Sequence, residues 1–207
     1  MTTIANNKKV ISVSFLRSGH FNIDIINIII AFKSPATTYN SFMYITILGR
    51  QPELGIAELE RIFGGKAISI TSPQTASVNT DNFDIQKFGG VPKAGKIIEE
   101  ISASNWHQAS QKIVQLFYDK WSSFEGKITV GISVYDLDVN AREAQQIGII
   151  LKQKLKKAGV SMRLIPNTEP SLNTAVSHHN KLGLSPNKVE ILIIGGDGKI
   201  IIAESNG

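Results

Sequence analysis

Two adjacent histidines, His178 and His179, are the most obvious candidates for metal chemistry in this 207-residue sequence. Neighbouring residues in a helix point about 100° apart, so these two rings do not converge on one ion. A helical zinc site takes histidines four residues apart, or a carboxylate at a similar spacing, and the sequence provides neither around this pair. The sequence also contains no cysteine, which is typical of a cytoplasmic protein and excludes disulfides and thiolate chemistry. We therefore predict no metal ligands.

Carboxylates that could serve as general acids or bases are present but dispersed. They are Glu53, Glu99, Glu100, Asp136 and Asp138. An active site requires several titratable groups in one pocket, and the spacing of these residues does not predict one. We predict no catalytic residues in this chain, although a small stand-alone enzyme with an unrecognised site remains an alternative.

A glycine-rich run at residues 195–198, "GGDG", is the strongest candidate for a phosphate-binding loop. Such a loop needs a following helix whose amino terminus meets the phosphate. The residues that follow, "KIIIAES", are typical of a strand instead. The pattern predicts a hairpin turn, and we assign no cofactor-binding residues.

Positive charge is the clearest functional signal. The net charge is +5, and residues 127–163 contain seven basic residues against three acidic ones. A predicted helix over residues 141–158 places Lys152 and Lys156 one turn apart, away from its apolar stripe. Lys154 falls within the stripe, so its head must extend to solvent or meet another group. Charge alone leaves two interpretations open: a solvated helix, or a surface that contacts phosphate.

The pattern of elements predicts an α+β fold. Two successive α/β units, each with its own strands and helices, indicate two small sheets. Residues 71–82 are polar and predicted to be turn-rich, and Ser104 and Asn140 are candidate helix caps. The predicted strands are residues 44–48, 66–70, 126–137, 160–166 and a hairpin over 188–204, and the predicted helices are residues 52–63, 105–121, 141–158 and 171–184.

Residues 1–42 differ from the rest. Their apolar run "FNIDIINIIIAF" has 12 residues, whereas a membrane span needs about 20. A signal or anchor segment remains an alternative. We expect instead a poorly ordered extension, with Met43, directly before a clear strand, as an alternative start.

Three stretches resemble one protein family: "ILGRQPELGIAELERIFG" (47–64), "FGGVPKAGKI" (88–97) and "PNTEPSLNTAVSHHNKL" (166–182). They are similar to the amino-terminal half of the THUMP-containing tRNA guanine-N2 methyltransferases. The similarity continues in order from residue 43 to the end and is strongest in "VGISVYDL" and "QIGIILKQKLKKAGVSMRLIPN". The resemblance implies a ferredoxin-like domain over residues 43–104 and a THUMP-like domain over residues 105–207.

The resemblance also implies a function. THUMP domains of this family bind the acceptor end of tRNA, including its single-stranded 3′ terminus. Six cations become the expected RNA-binding residues: Lys152, Lys154, Lys156, Lys157, Arg163 and Lys181.

The chemistry of the family lies in a further, carboxy-terminal domain. That domain binds S-adenosylmethionine and carries an Asp-Pro-Pro-Tyr-type motif, which this sequence lacks. We therefore expect a cytoplasmic tRNA-binding module without membrane attachment. The module would be inactive alone and would work with a methyltransferase catalytic domain or subunit. That domain or subunit would bind S-adenosylmethionine. A protein–protein adaptor without RNA binding remains an alternative.

Overall fold

The computed structural model describes residues 43–102, 105–196 and 198–206. The predictions for residues 1–42 and for the Ser104 cap lie outside the described residues. The strands are β1 (Met43–Ile47), β2 (Ile68–Ser72), β3 (Thr75–Asn79), β4 (Lys93–Ile101), β5 (Lys127–Tyr135), β6 (Ser161–Leu164), β7 (Lys188–Gly196) and β8 (Lys199–Ser205). The helices are α1 (Pro52–Phe63), α2 (Trp106–Trp121), α3 (Ala141–Lys157) and α4 (Thr174–His179). In these parts of the chain, no helix is long and apolar enough to cross a membrane.

All eight strands belong to one sheet, in the order β2-β3-β1-β4-β8-β7-β5-β6. β5 pairs in parallel with β6 and β7, and the other neighbouring strands are antiparallel. The predicted α+β class is confirmed. The expected two small sheets are instead one, because β4 pairs with β8 and so joins the early strands to the late ones. The domain division at residue 104 stays a prediction.

Helices α2 and α3 cover one face of the second half of the sheet. Their buried apolar residues pack on alternate residues of β5, from Ile128 to Val134, and on the matching residues of β7 and β8. Helix α1 packs through Leu59 on Tyr44 and neighbouring residues of the first strands. The apolar stripes of α2 and α3 therefore form much of the core, whereas Leu54 and Ile62 of α1 are exposed.

The sheet curves so that its first edge strand, β2, comes close to β7 and to the end of β5. The Ser72 hydroxyl donates a 2.6 Å hydrogen bond to the Asp136 carboxylate. A Cβ on Gly196 would lie 3.1 Å from the Thr71 methyl group. A second apolar cluster, with Ile45 and Leu192 fully buried, occupies the face opposite α2 and α3.

Several helix ends agree with the sequence. α1 begins at Pro52 and ends at Gly64, whose φ of +80° favours glycine. α3 begins with a capping box in which Asn140 and Glu143 each bind the other's backbone N–H. α2 is capped by Asn105, whose side-chain oxygen accepts a 2.9 Å hydrogen bond from the Gln108 N–H.

Three predictions about local structure are wrong. Residues 71–82 contain β3, whose Ala76 and Val78 are fully buried even though most of the segment is polar. β2 starts at Ile68 because residues 65–67 form a 3-10 turn. α4 has only six residues, since its first turn is capped by Asn173 and Lys181 adopts a positive φ of +55°.

Gly95 of β4 lies close to the backbone of β8, so a substitution at this position tests how much space the contact between the two strands leaves. A Cβ at this position would lie 2.8 Å from the Glu204 carbonyl oxygen and 2.8 Å from a Leu192 methyl group. We expect Gly95→Ala to lower the free energy of unfolding by about 1–3 kcal/mol, because the backbone of β8 must move. Urea unfolding followed by circular dichroism measures this change.

The matched control is Gly65→Ala, where the nearest atom to the added Cβ is 3.8 Å away. That variant should change stability by less than about 1 kcal/mol. Equal stability of the two variants would show that the β4–β8 contact tolerates extra volume.

Candidate ligand cavity and cationic surface

A cavity of about 320 Å³ lies between the loop of residues 85–92 and the α4 segment. This volume is in the range of small-molecule sites, about 300–1,000 Å³. Part of its lining is apolar, from Phe88, Val91, Leu182 and Leu184. Lys93 and Glu190 add charged groups to the same lining. The cavity therefore combines an apolar wall with a polar floor, as ligand sites do.

The floor contains a buried ion pair between two strands. The Lys93 Nζ atom of β4 lies 2.5 Å from Glu190 Oε1 of β7. The side chains are only 8% and 2% exposed, respectively. Lys93 Nζ also donates a 2.6 Å hydrogen bond to the Leu172 carbonyl oxygen. Burial of two charges is costly unless they are paired and hydrogen-bonded, and this pair meets both conditions.

Ser133 of β5 extends the ion pair into a network. Its hydroxyl donates a 2.5 Å hydrogen bond to Glu190 Oε1 and accepts a 2.8 Å hydrogen bond from the Leu172 N–H. The Glu190 N–H donates to the Ser205 hydroxyl at 2.9 Å. The network thus connects β4, β5, β7 and β8 with the segment that follows β6.

One carboxylate oxygen and one ammonium N–H of this network form no hydrogen bond with the described residues. Glu190 Oε2 accepts no hydrogen bond from any residue that the structure describes, since Lys93 and Ser133 both bind Oε1. Among the described residues, no buried side-chain oxygen lacks a partner. Oε2 is therefore not fully buried. Lys93 has three N–H donors and uses two of them within the described chain.

Tyr135 lies at the end of β5 beside this network. Burial of the side chain, followed by the negative charge of Glu190, raises the pKa of Tyr135 far above its usual value. The neighbouring polar groups of Ser133 and Ser171 lower the pKa of Tyr135, but their effect is smaller. Tyr135 therefore stays a neutral phenol at physiological pH and cannot serve there as a base.

The open side of the cavity is lined by two exposed basic side chains, His178 and Lys181. The Lys181 N–H donates a 2.9 Å hydrogen bond to the His178 carbonyl oxygen. Lys181 has a φ of +55°, which is uncommon for a lysine and marks the turn after α4. Of the six predicted RNA-binding residues, only Lys181 lines this cavity.

The lysines of α3 are exposed. Lys152, Lys156 and Lys157 form no ion pair with any described residue. The ammonium group of Lys154 lies 5.5 Å from the centre of the Tyr118 ring and 3.1 Å from Gln115 Oε1, both on α2. The prediction that the head of Lys154 must extend or meet another group is confirmed, since it contacts α2.

The predicted cations of α3 lie on two different flanks of the helix. Lys152 and Lys156 lie on the flank of α3 opposite to Lys154. On that flank Gln145 donates a 3.5 Å hydrogen bond to the Ile165 carbonyl oxygen, just after β6. Lys152 and Lys156 therefore lie on the side of α3 that faces β6, the last strand of the sheet.

Arg163 points to the other face of β6. Its neighbours Met162 and Leu164 both pack in the core beneath α2 and α3. Successive side chains of a strand alternate between faces, so Arg163 is directed away from α3. Gly131, on that same face, would bring a Cβ within 2.8 Å of a Leu182 methyl group. Arg163 thus shares a face with the α4 segment and its Lys181.

The sequence interpretation missed Lys93, Glu190 and Ser133. A signal for Glu190 exists: it is the one acidic residue inside the apolar strand "KVEILIIGG", and a charge in such a strand must be paired. Its partner could not be identified, because Lys93 is 97 positions away in the sequence. As for metals, the parts of the chain that the structure describes contain no group of three or more potential ligands.

Comparison with known proteins finds solved structures that are similar to this chain. No protein-family model and no curated protein matches the sequence, whereas 12 solved chains match the structure. One is PH1313 from Pyrococcus horikoshii Ot3, at 10% identity and a TM-score of 0.41, covering 78% of this chain and 53% of that one.

Two other matches have similar values. TrmN from Thermus thermophilus has 9% identity and a TM-score of 0.49, over 79% of this chain and 45% of that chain. A possible methylase from Clostridium difficile 630 has 14% identity and a TM-score of 0.44, over 79% and 41%. The chain spans about half the length of these three structures. At such identities and TM-scores the likeness identifies neither a family nor a function.

The buried ion pair gives a prediction about stability. Lys93→Met leaves the Glu190 carboxylate without its cation, and we expect the free energy of unfolding to fall by about 3–5 kcal/mol. The double variant Lys93→Met/Glu190→Leu removes both charges and should recover most of this loss. Urea unfolding of the two single variants and the double variant measures the coupling.

The surface pair of Lys199 and Glu100 is the control, because its 3.3 Å contact is exposed to solvent on the lysine side. Lys199→Met should cost less than about 1 kcal/mol. If the losses of unfolding free energy in Lys93→Met and Glu190→Leu add up in the double variant, the two side chains do not interact, which would contradict the ion pair.

Proposed function

We propose that this chain is a tRNA-binding module, with a ferredoxin-like part followed by a THUMP-like part, that binds the acceptor end of tRNA. The proposal is supported by the three sequence stretches that resemble THUMP-containing tRNA guanine-N2 methyltransferases. The expected cations of that surface are exposed on α3, on β6 and after α4. A chain of pI about 9.4 also favours a polyanionic partner.

The observation that carries the proposal is the exposure of Lys152 and Lys156, together with their lack of an acidic partner among the described residues. They are exposed one helical turn apart, and neither has an acidic partner among the described residues. Lys156 lies in the last turn of α3, where the helix dipole favours a cation. Binding to phosphate needs such cations, because affinity for nucleic acid rises as lysine and arginine release condensed counterions.

Arg163 and Lys181 extend this surface to the other face of the sheet. Arg163 is on the edge strand β6, and Lys181 borders the cavity on the same face. RNA phosphates that cross the β6 edge would pass from the lysines of α3 to these two residues. Phosphate contacts of this kind position a nucleic acid without reading its sequence.

In this proposal, the bound tRNA is presented to a catalytic domain or subunit that uses S-adenosylmethionine to methylate a guanine. The chain itself would provide affinity and orientation, which lower the barrier by holding the reactants in place. The proposed module belongs to the cytoplasm, where tRNA is modified and where the absence of cysteine is common.

The experiment is binding of the full chain to unmodified tRNA, followed by fluorescence anisotropy over a range of salt concentrations. We expect Lys152→Glu/Lys156→Glu to weaken binding and to reduce the slope of log K against log salt by roughly one to two units, because each lysine releases about one counterion.

Arg61→Glu/Lys66→Glu is the matched control, since it makes the same change of charge at two exposed residues of the first half. A tRNA without its single-stranded 3′ end should also bind more weakly. If the control lowers the slope as much as the α3 variant, the effect is one of net charge and the proposed surface is wrong. If tRNA does not bind at all, the proposed function is wrong.

A further inference from the structure

The connecting segment between β6 and β7, residues 165–187, carries Lys181 and is tied to the sheet by the buried network. We propose that Ser133 and Lys93 are positioning residues, which fix this segment so that Lys181 presents its ammonium group to a phosphate of the bound RNA. The inference rests on the proposed function and gives the buried network a part in it. Ser133 and Lys93 act through Leu172 and not by contact with the RNA.

Leu172 is the residue by which the network holds the connecting segment. Its N–H donates a 2.8 Å hydrogen bond to the Ser133 hydroxyl, and its carbonyl oxygen accepts a 2.6 Å hydrogen bond from Lys93 Nζ. Leu172 lies outside the helices and strands and is only 3% exposed. Buried backbone groups need hydrogen-bond partners. The two side chains therefore provide what a neighbouring strand would otherwise provide.

Packing connects this anchor to Lys181. The Leu172 and Leu182 side chains belong to one buried cluster with Ile165, and Lys181 directly precedes Leu182. Both leucines lie on the backbone of Gly131, where an added Cβ would be 2.4 Å from Leu172 Cδ1 and 2.8 Å from Leu182 Cδ1. Closely packed interiors transmit displacements. A movement of Leu172 should therefore change the position of Lys181.

The backbone of Lys181 is an independent observation. Its φ of +55° lies in the left-handed region, which glycine and asparagine adopt at lower cost than lysine. Neighbouring bonds maintain it: the Leu182 N–H donates to the Ser177 carbonyl at 3.0 Å, and the Asn180 side chain donates to the Val176 carbonyl at 2.9 Å. Unfavourable conformations that are maintained in this way cluster at functional sites. An exposed ammonium group that binds an anion accounts for a lysine at this position.

The test is a double-mutant cycle in the full chain, with binding to unmodified tRNA measured over a range of salt concentrations. In the unaltered protein, Lys181→Glu should reduce the slope of log K against log salt by roughly one unit. In the Ser133→Ala background the same substitution should have less than about half of this effect, because Lys181 no longer reaches the phosphate.

Two controls separate positioning from a general loss of structure. Lys152→Glu changes a lysine of α3, outside the connecting segment, and should keep its full effect on the slope in both backgrounds. Ser77→Ala removes another buried serine hydroxyl, which donates to the Ser69 carbonyl between β3 and β2. That variant should leave the effect of Lys181→Glu unchanged.

Lys93→Met/Glu190→Leu is a second background. It removes the bond from Lys93 to the Leu172 carbonyl without a change of net charge, and an apolar pair should keep the fold. The effect of Lys181→Glu should fall by a similar fraction here. This arm decides the proposal even if Ser133→Ala does not fold.

Hydrogen exchange of the ¹⁵N-labelled protein measures the anchoring in the absence of RNA. The Val134 N–H donates to the Pro170 carbonyl oxygen at 3.0 Å, so its exchange reports when the connecting segment leaves the sheet. In both altered backgrounds this amide should exchange about tenfold or more faster. The Gly49 N–H, which donates to the Gly90 carbonyl at 2.9 Å, is the control and should not change.

Each outcome decides the proposal. A full effect of Lys181→Glu in the altered backgrounds would overturn it, as would unchanged exchange at Val134. An equal loss of the Lys181 and Lys152 effects would overturn it in favour of general destabilisation. If tRNA binds and depends on Lys152 but not on Lys181, the proposed module stands and only the positioning role fails. If tRNA does not bind the unaltered protein, the proposed function fails and the positioning role fails with it.

Discussion

The pairing of β4 with β8 is the constraint on which the rest of the structure depends. Six residue pairs, from Gly95–Ser205 to Ile101–Ile200, join strands that are about 100 positions apart in the sequence. The pairing unites the early strands with the late ones in one sheet. It also places the start of β4 one strand away from β7, with β8 between them, so that Lys93 reaches Glu190. Without this seam neither the cavity nor its floor would exist.

The buried pair of Lys93 and Glu190 is an unusual feature for a fold that has an ample apolar core. A well-packed apolar pair is often as stable as a buried ion pair, so stability alone does not explain why charges occupy this position. The pair leaves one carboxylate oxygen and one N–H open to the cavity.

The cations of the proposed RNA-binding surface lie in two regions. The α3 lysines and Arg163 surround the outer edge of the sheet and can contact phosphates, which gives affinity that depends on salt. The cavity that Lys181 borders combines an apolar wall with the buried pair of Lys93 and Glu190. The two regions are adjacent because the segment from β6 to α4 folds back over the sheet, with Leu172 and Leu182 packed near Gly131.

Local signals in the sequence determined most of the elements. Pro52 and Gly64 delimit α1, Asn140 and Glu143 cap α3, and the alternation in β5 predicts its buried face, because each signal acts over a few neighbouring residues. The single sheet, the burial of the polar strand β3 and the meeting of Lys93 with Glu190 depended on the tertiary structure. Likewise, the side of the sheet on which Arg163 lies was decided by how Met162 and Leu164 pack beneath α3. Contacts between distant strands form only when the whole chain packs, and no local pattern specifies them.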